Sequence, residues 1–271
     1  MTNVFAAERP EFLADTKTGL PLSDEPQFGN VEEERLHRRR ELAAAMRIFG
    51  KLGYGEGVSG HISVRDPEDP DLFWVNPFGV PFELVKVRDL ICVDGNGAVV
   101  RGAGKVNPSA FVIHSKIHEM NPGAGAAAHG HTIYSRALGS LGRLLEPLDQ
   151  ESAAFYEGQV FYDEYEGPSM TVGQGEDIAG KLGDKRSILL RHHGLITVGE
   201  TLGEAIHWFL TYENCAKVQL LAAAAGKPIP MTPRQARSAR DGGFGDAGLG
   251  RFSFEMYYQT IVAEQPELLE D

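Results

Sequence analysis

Apolar positions along the chain recur with two periods, and the changes of period mark out the elements. From Val31 to Leu52 the positions Leu36, Leu42, Met46, Ile48, Phe49 and Leu52 recur at helical spacing, with Asn30 as a cap and Gly53 as a stop. The pattern predicts one helix, then a sharp loop through the glycine-rich run Gly55 to Gly60. His61 to Val64 and Leu72 to Val75 read as short strands on either side of the turn Asp66-Pro67-Glu68-Asp69-Pro70. Leu90 to Val93 and Val99 to Arg101 repeat the hairpin signal around Asp94-Gly95-Asn96-Gly97. Ser109 to Met120 reads as a helix with Phe111, Ile113 and Ile117 on one side, ended by Asn121-Pro122-Gly123.

The second half continues the alternation. Gly125 to His131 is a small-residue strand, Thr132 to Leu138 a short helix, and Gln159 to Tyr162 a strand. Ser187 to Arg191 and Gly194 to Val198 flank a paired histidine, and Thr201 to Ala225 is the longest helix, with Thr201 as cap and Glu204 at the third helical position. Pro and Gly punctuate Pro228 to Gly250, and Phe252 to Val262 reads as a final helix. Irregular mixing of strands and helices predicts an α/β fold whose central sheet is mixed, largely antiparallel and covered by helices. The 271 residues fit one such domain, which reaches about 250 residues. The expected division is an arm over 1–29, a domain over 30–226 and an extension with a helix over 227–271.

Charge narrows the partners. The net charge is −12, so phosphate backbones and anionic lipid surfaces are disfavoured, and nucleic acid and membranes are not expected partners. The densest basic run, Arg35 with His37 to Arg40, follows Glu32 to Glu34 and reads as the solvated face of the first helix, with a subunit contact as its other use. Two cysteines, Cys92 and Cys215, without Cys-x-x-Cys spacing, offer neither a disulfide framework nor a thiolate zinc site. Met1 to Asp15 lacks a signal-peptide profile, and no apolar run approaches the ~18 residues of a membrane span. A cytoplasmic protein is the expectation.

Candidate chemistry lies in the histidines. In Ala128-His129-Gly130-His131 the residues i and i+2 at a strand end project to one face, and Gly130 between them allows close approach. A metal site that keeps an open position for chemistry commonly uses three protein ligands. Arg191-His192-His193-Gly194 brings a third imidazole, and strand alternation lets only one of that pair join. Neutral imidazoles suit zinc, iron, copper or nickel over magnesium or calcium, with Zn2+ and Fe2+ leading. His114 and His118, one helical turn apart, read as core or supporting groups.

Gly57-Val58-Ser59-Gly60-His61-Ile62-Ser63, Asn76-Pro77-Phe78-Gly79-Val80-Pro81, Ala128 to His131 and His193-Gly194 stand in the order seen in class II aldolase/adducin domains. The chain resembles that family from about Val31 to Ala225, and most of all its adducin-type branch. The resemblance implies a three-layer α/β/α domain, a homotetramer, and a metal ion on His129, His131 and His193. It implies a substrate anion held near Gly60, His61, Asn76 and Gly79, since Gly-rich turns offer backbone amides. Ser109 is a second substrate contact or a helix cap, and Glu151 a candidate substrate-binding residue reaching a neighbouring subunit. In this resemblance Ala110 stands where sugar-phosphate aldolases carry a catalytic Glu, so ordinary retro-aldol cleavage of a sugar phosphate is not expected.

Three functions fit these residues. The first is a metal-dependent lyase acting on a small hydroxy- or oxo-carboxylate by C–C cleavage or decarboxylation, with His61 as proton donor. The second is a non-haem iron(II) oxygenase on an aromatic α-keto or α-hydroxy acid. The third is a non-catalytic adducin-like interaction module.

Overall fold

The computed structural model of the protein describes residues 22, 25–165, 167 and 171–271; most of the expected N-terminal arm lies outside them. The chain runs through α1 (Val31–Lys51), β1 (His61–Arg65), β2 (Phe73–Val75), β3 (Ile91–Val93), β4 (Val99–Arg101), α2 (Pro108–Met120), β5 (Ala126–Gly130), α3 (Ile133–Ser140) and α4 (Gln150–Ala153). It continues through β6 (Gln159–Tyr162), α5 (Val172–Leu182), β7 (Ser187–Leu190), β8 (Leu195–Gly199), α6 (Leu202–Ala225), α7 (Pro233–Ala239) and α8 (Ala247–Glu264). Among the described residues the strands form one 8-stranded sheet in the order β4-β3-β2-β1-β5-β8-β7-β6. Every pairing is antiparallel except β6 with β7. The sheet is mixed and largely antiparallel, as the sequence pattern predicts.

Strand alternation builds the layers. Ile62, Val64, Ala126, Ala128 and Leu195 turn to one face and pack with Leu42 and Phe49 of α1 and Trp208 and Phe209 of α6. Ala127, Ile188, Leu190, Ile196 and Val198 turn to the other and pack with Ile113 and Ile117 of α2 and Ile178 and Leu182 of α5. A period of 2 thus gives helix, sheet and helix in three layers. Among the described residues, no helix is long and apolar enough to cross a membrane.

Four expectations need correction. The cap of α2 is Asn107, whose side chain accepts from the N–H groups of Ser109 and Ala110. Ser109 is inside the first turn, because Pro108 occupies the first helical position where its missing N–H costs nothing. The apolar pattern singles out no element between 163 and 186, yet α5 lies there. Its glycines weaken the helical signal, but a Cβ at Gly175 would stand 2.2 Å from the carbonyl oxygen of Val112, so the close crossing of α2 and α5 demands glycine. The last helix begins at Ala247, because Asp246 caps it by accepting from Leu249 N at 3.1 Å.

Most of the basic run on α1 is not a solvated face, although Arg40 is exposed as expected. Arg35 is buried and its guanidinium forks onto Asp66 at 2.7 and 2.9 Å. Arg38 pairs with Glu34 and donates to the Arg65 carbonyl, and Arg39 donates to the Val87 carbonyl and pairs with Asp271. The acidic C-terminus supplies countercharge: Glu264 meets Lys51, Glu267 meets Arg47, and Glu270 meets Lys86. Cys92 and Cys215 are free and buried.

Candidate metal centre

Antiparallel pairing of β1 with β5 places His61 opposite His129 and Ser63 opposite Ala127. Ala127 faces the α2 layer, so alternation turns His129, His61 and Ser63 to that layer as well. His131 follows the end of β5 and comes within 3.1 Å of His129, Nε2 to Nε2.

The third imidazole arrives on the turn between β7 and β8. Leu190 N donates to the Gly194 carbonyl at 2.8 Å and His193 N to the Leu190 carbonyl at 3.3 Å, which closes a tight loop. His192 has φ 55, a left-handed conformation that leaves its side chain exposed while His193 turns in. One histidine of the pair joins, as expected, but the reason is the left-handed turn and not strand alternation, since β7 ends at Leu190.

One ligand nitrogen from each of His129, His131 and His193 lies within 4.8 Å of the others. Their ring centroids are 4.8 to 5.0 Å apart. Gly194 is what lets the turn close over them: a Cβ there would stand 2.5 Å from the Gly130 carbonyl and 3.1 to 3.2 Å from the His131 and His129 rings. His129 Nδ1 donates to the Leu195 carbonyl at 2.9 Å, which fixes its tautomer and leaves Nε2 with a lone pair. Burial lowers the pKa of all three, His129 well below its usual value and His193 to about 4. Neutral imidazoles with convergent lone pairs are the form that binds a metal. The donor set fits one zinc or iron(II) ion, with positions left open.

Behind His131 the chain turns into α3, and this corner hangs on a residue the sequence reading missed. Glu213, 3% exposed on α6, accepts from Thr132 Oγ1 at 2.7 Å, from Tyr134 N and Ser135 N at 2.9 Å, and from the Ser135 hydroxyl. A carboxylate from another helix thereby caps α3, and the favourable pole of the helix dipole faces it. The signal was present as a lone acid between Phe209 and Ala216 on the buried side of α6. Glu213→Ala is expected to cost about 3 kcal/mol, the scale of losing charged hydrogen bonds in the interior. It should also weaken metal binding ~10–100-fold, as loss of a supporting group does; urea unfolding and zinc titration measure the two effects.

The expected substrate-binding positions gather in part. Gly60, at φ 90, sits against the His129 carbonyl. Asn76 is buried and accepts from Ile62 N at 3.3 Å. The start of α2 is tied to the glycine-rich loop by Asn107 Nδ2 donating to the Val58 carbonyl at 3.4 Å. Phe78 N donates to the Lys105 carbonyl at 2.7 Å, which anchors the segment carrying Gly79, itself exposed with φ 87. Ser109 is half-buried in the first turn of α2. Glu151 is exposed on the first turn of α4. His61 is 2% exposed, its ring centroid 4.7 Å from that of His129. On the other side of His131 opens a cavity of about 540 Å³, lined among others by Glu56, Tyr134, Arg136 and Lys217.

Sheet order, layering and the imidazole trio define a metal-site α/β domain of the class II aldolase kind. The family model described as "Class II Aldolase and Adducin N-terminal domain" matches residues 40–220, and the chain belongs to that family. It is 39% identical over 246 residues to decarboxylase NovR of Streptomyces niveus, covering 90% of each chain. It is 39% identical over 245 residues to a 4-hydroxy-3-prenylphenylpyruvate oxygenase/4-hydroxy-3-prenylbenzoate synthase of Streptomyces roseochromogenus subsp. oscitans, covering 90% of this chain and 88% of that one. Among solved structures, an L-fuculose 1-phosphate aldolase from Glaciozyma antarctica PI12 superposes with a TM-score of 0.85 at 39% identity, over 92% of this chain and 97% of that one. These relatives carry enzyme names, which favours an enzyme over a non-catalytic module.

Proposed function

We propose that the protein is a metal-dependent enzyme of lyase type that cleaves or decarboxylates a small hydroxy- or oxo-carboxylate. The observation that carries this reading is the convergence of His129, His131 and His193 within 4.8 Å. A divalent ion on these residues would supply Lewis acidity to substrate oxygens, and three protein ligands leave room for two of them. The neighbouring cavity brings Arg136 and Lys217, cations that suit a carboxylate. Gly60, Asn76, Gly79 and Ser109 are the proposed contacts for the rest of the substrate, and Glu151 a contact from a neighbouring subunit in a homotetramer. Ala110, buried in the first turn of α2, has no group that takes a proton from carbon. Loss of carbon dioxide needs no such step, so decarboxylation suits this chain better than sugar-phosphate cleavage. His61 is the proposed proton-handling residue.

A second reading is a non-haem iron(II) oxygenase on an aromatic α-keto or α-hydroxy acid. It is favoured by the relative named as an oxygenase and by a donor set that takes iron as readily as zinc. Anaerobic purification, elemental analysis and an oxygen electrode separate the two. About one metal per chain with product formed without oxygen uptake is the lyase result, and iron with oxygen consumed in step with product is the oxygenase result. A chain that retains no zinc or iron and turns over none of these acids returns the protein to the non-catalytic module.

A further inference from the structure

A chain of buried polar groups runs from His61 through the α2 layer. His61 Nδ1 lies 2.8 Å from His114 Nε2, His114 Nδ1 lies 2.6 Å from Ser63 Oγ, and Ser63 Oγ lies 2.8 Å from His118 Nε2. The far end is His118 Nδ1, 3.0 Å from the carbonyl of Ala124. Each of the four side chains is 0 to 4% exposed.

The hydrogens in this chain have one consistent arrangement. A carbonyl only accepts, so His118 Nδ1 must donate. Burial holds His118 neutral, with its pKa lowered to about 3, so its Nε2 has no proton and accepts from the Ser63 hydroxyl. Ser63 has a single hydrogen and spends it there, so its oxygen accepts from His114 Nδ1. His114 Nε2 is then bare and accepts from His61 Nδ1. Every donor points the same way, and the Ala124 carbonyl fixes the direction.

We infer that Ser63, His114 and His118 are positioning residues that lock His61 in the tautomer protonated on Nδ1. Its Nε2, on the ring edge turned away from His114, is thereby kept as a lone-pair acceptor for a protonated oxygen of the ligand. The inference rests on the metal-site reading only for what that ligand is: a hydroxyl or water beside the trio is received, and a bare keto oxygen at that edge is repelled. This reverses the direction expected from the sequence, where His61 is a proton donor. In its resting state it has no hydrogen to give from Nε2. The carbonyl at the far end, which also accepts from Arg65 Nε at 3.0 Å, has no proton to exchange, so the chain passes none out to solvent and its work is orientation.

Two-bond ¹H–¹⁵N correlation spectra of the full chain labelled with [¹⁵N]histidine test this, metal-free and loaded with zinc. The expected result is a pyrrole-type shift for His61 Nδ1 and a pyridine-type shift for its Nε2 in the wild type. In Ser63→Ala, His114 loses its acceptor and is free to invert, so both His61 nitrogens move to averaged shifts while zinc stoichiometry stays at the wild-type level. A wild-type His61 protonated on Nε2, or a Ser63→Ala spectrum identical to wild type, overturns the inference. The wild-type spectrum decides even where Ser63→Ala does not fold. Failure of zinc to bind, with the tautomer pattern intact, counts against the proposed enzyme and leaves the lock standing.

Discussion

Replacing His129 by alanine is expected to strip the protein of its metal and its activity together. His129 is 1% exposed, its tautomer is fixed by the Leu195 carbonyl, and its Nε2 sits 3.1 Å from that of His131. Loss of a supporting group around a metal typically costs 10–100-fold, so loss of a ligand should cost more than about 100-fold in affinity. Elemental analysis after dialysis reads this directly. The matched control is His192→Ala, which changes the exposed member of the same turn and should leave metal content as in the wild type. Retention of a full metal equivalent by His129→Ala would show that the trio does not hold the ion.

The largest stability effect is expected away from the site, at Asp66. Its carboxylate accepts from Arg35 at 2.7 and 2.9 Å, from Trp74 Nε1 at 2.9 Å and from Glu68 N at 3.0 Å. Asp66→Ala leaves a guanidinium that is 3% exposed without its main partner, and removing one half of a buried pair costs about 3–5 kcal/mol. Urea unfolding should show the midpoint falling with little change in slope. The pH dependence has a definite sign. Burial alone would raise the Asp66 pKa, but the hydrogen bonds from Arg35 and Trp74 outweigh it and hold the group well below the ordinary carboxylate range. The stability this confers is complete above the unfolded pKa of about 3.9 and drains as pH falls below it. Asp66→Asn should remove that part of the acid sensitivity, and an unchanged acid profile would mean another carboxylate carries it.

Much of the fold was legible because it is written in local periods. The cap at Asn30, the hairpins at 61–75 and 90–101, the alanine strand before His129 and the Thr201 cap with Glu204 all appear in place. What escaped was decided by contacts distant in sequence. A helix with glycines at 173, 175 and 180 reads poorly until α2 crosses it closely. Arg35 looks like a surface cation until Asp66 is brought to it across 31 positions. His114 and His118 were visible as a buried pair one turn apart, but Ser63, which joins them, looks like any strand serine until β1 is laid beneath α2.

The metal trio divides the same way. Sequence alone named His129 and His131, because a His-x-His at a strand end places both rings on one face whatever else the chain does. Spacing left His192 and His193 open and only the family resemblance pointed to His193; the physical reason for His193 over His192 is a left-handed turn that spacing does not encode. The protonation pattern around His61 belongs wholly to the tertiary structure. Hydrogen-bond direction depends on which carbonyl terminates the chain, and Ala124 meets His118 only once α2 and the start of β5 are packed together. Composition and period determined the elements and their layers; packing determined which buried polar groups face each other, and hence where the protons are.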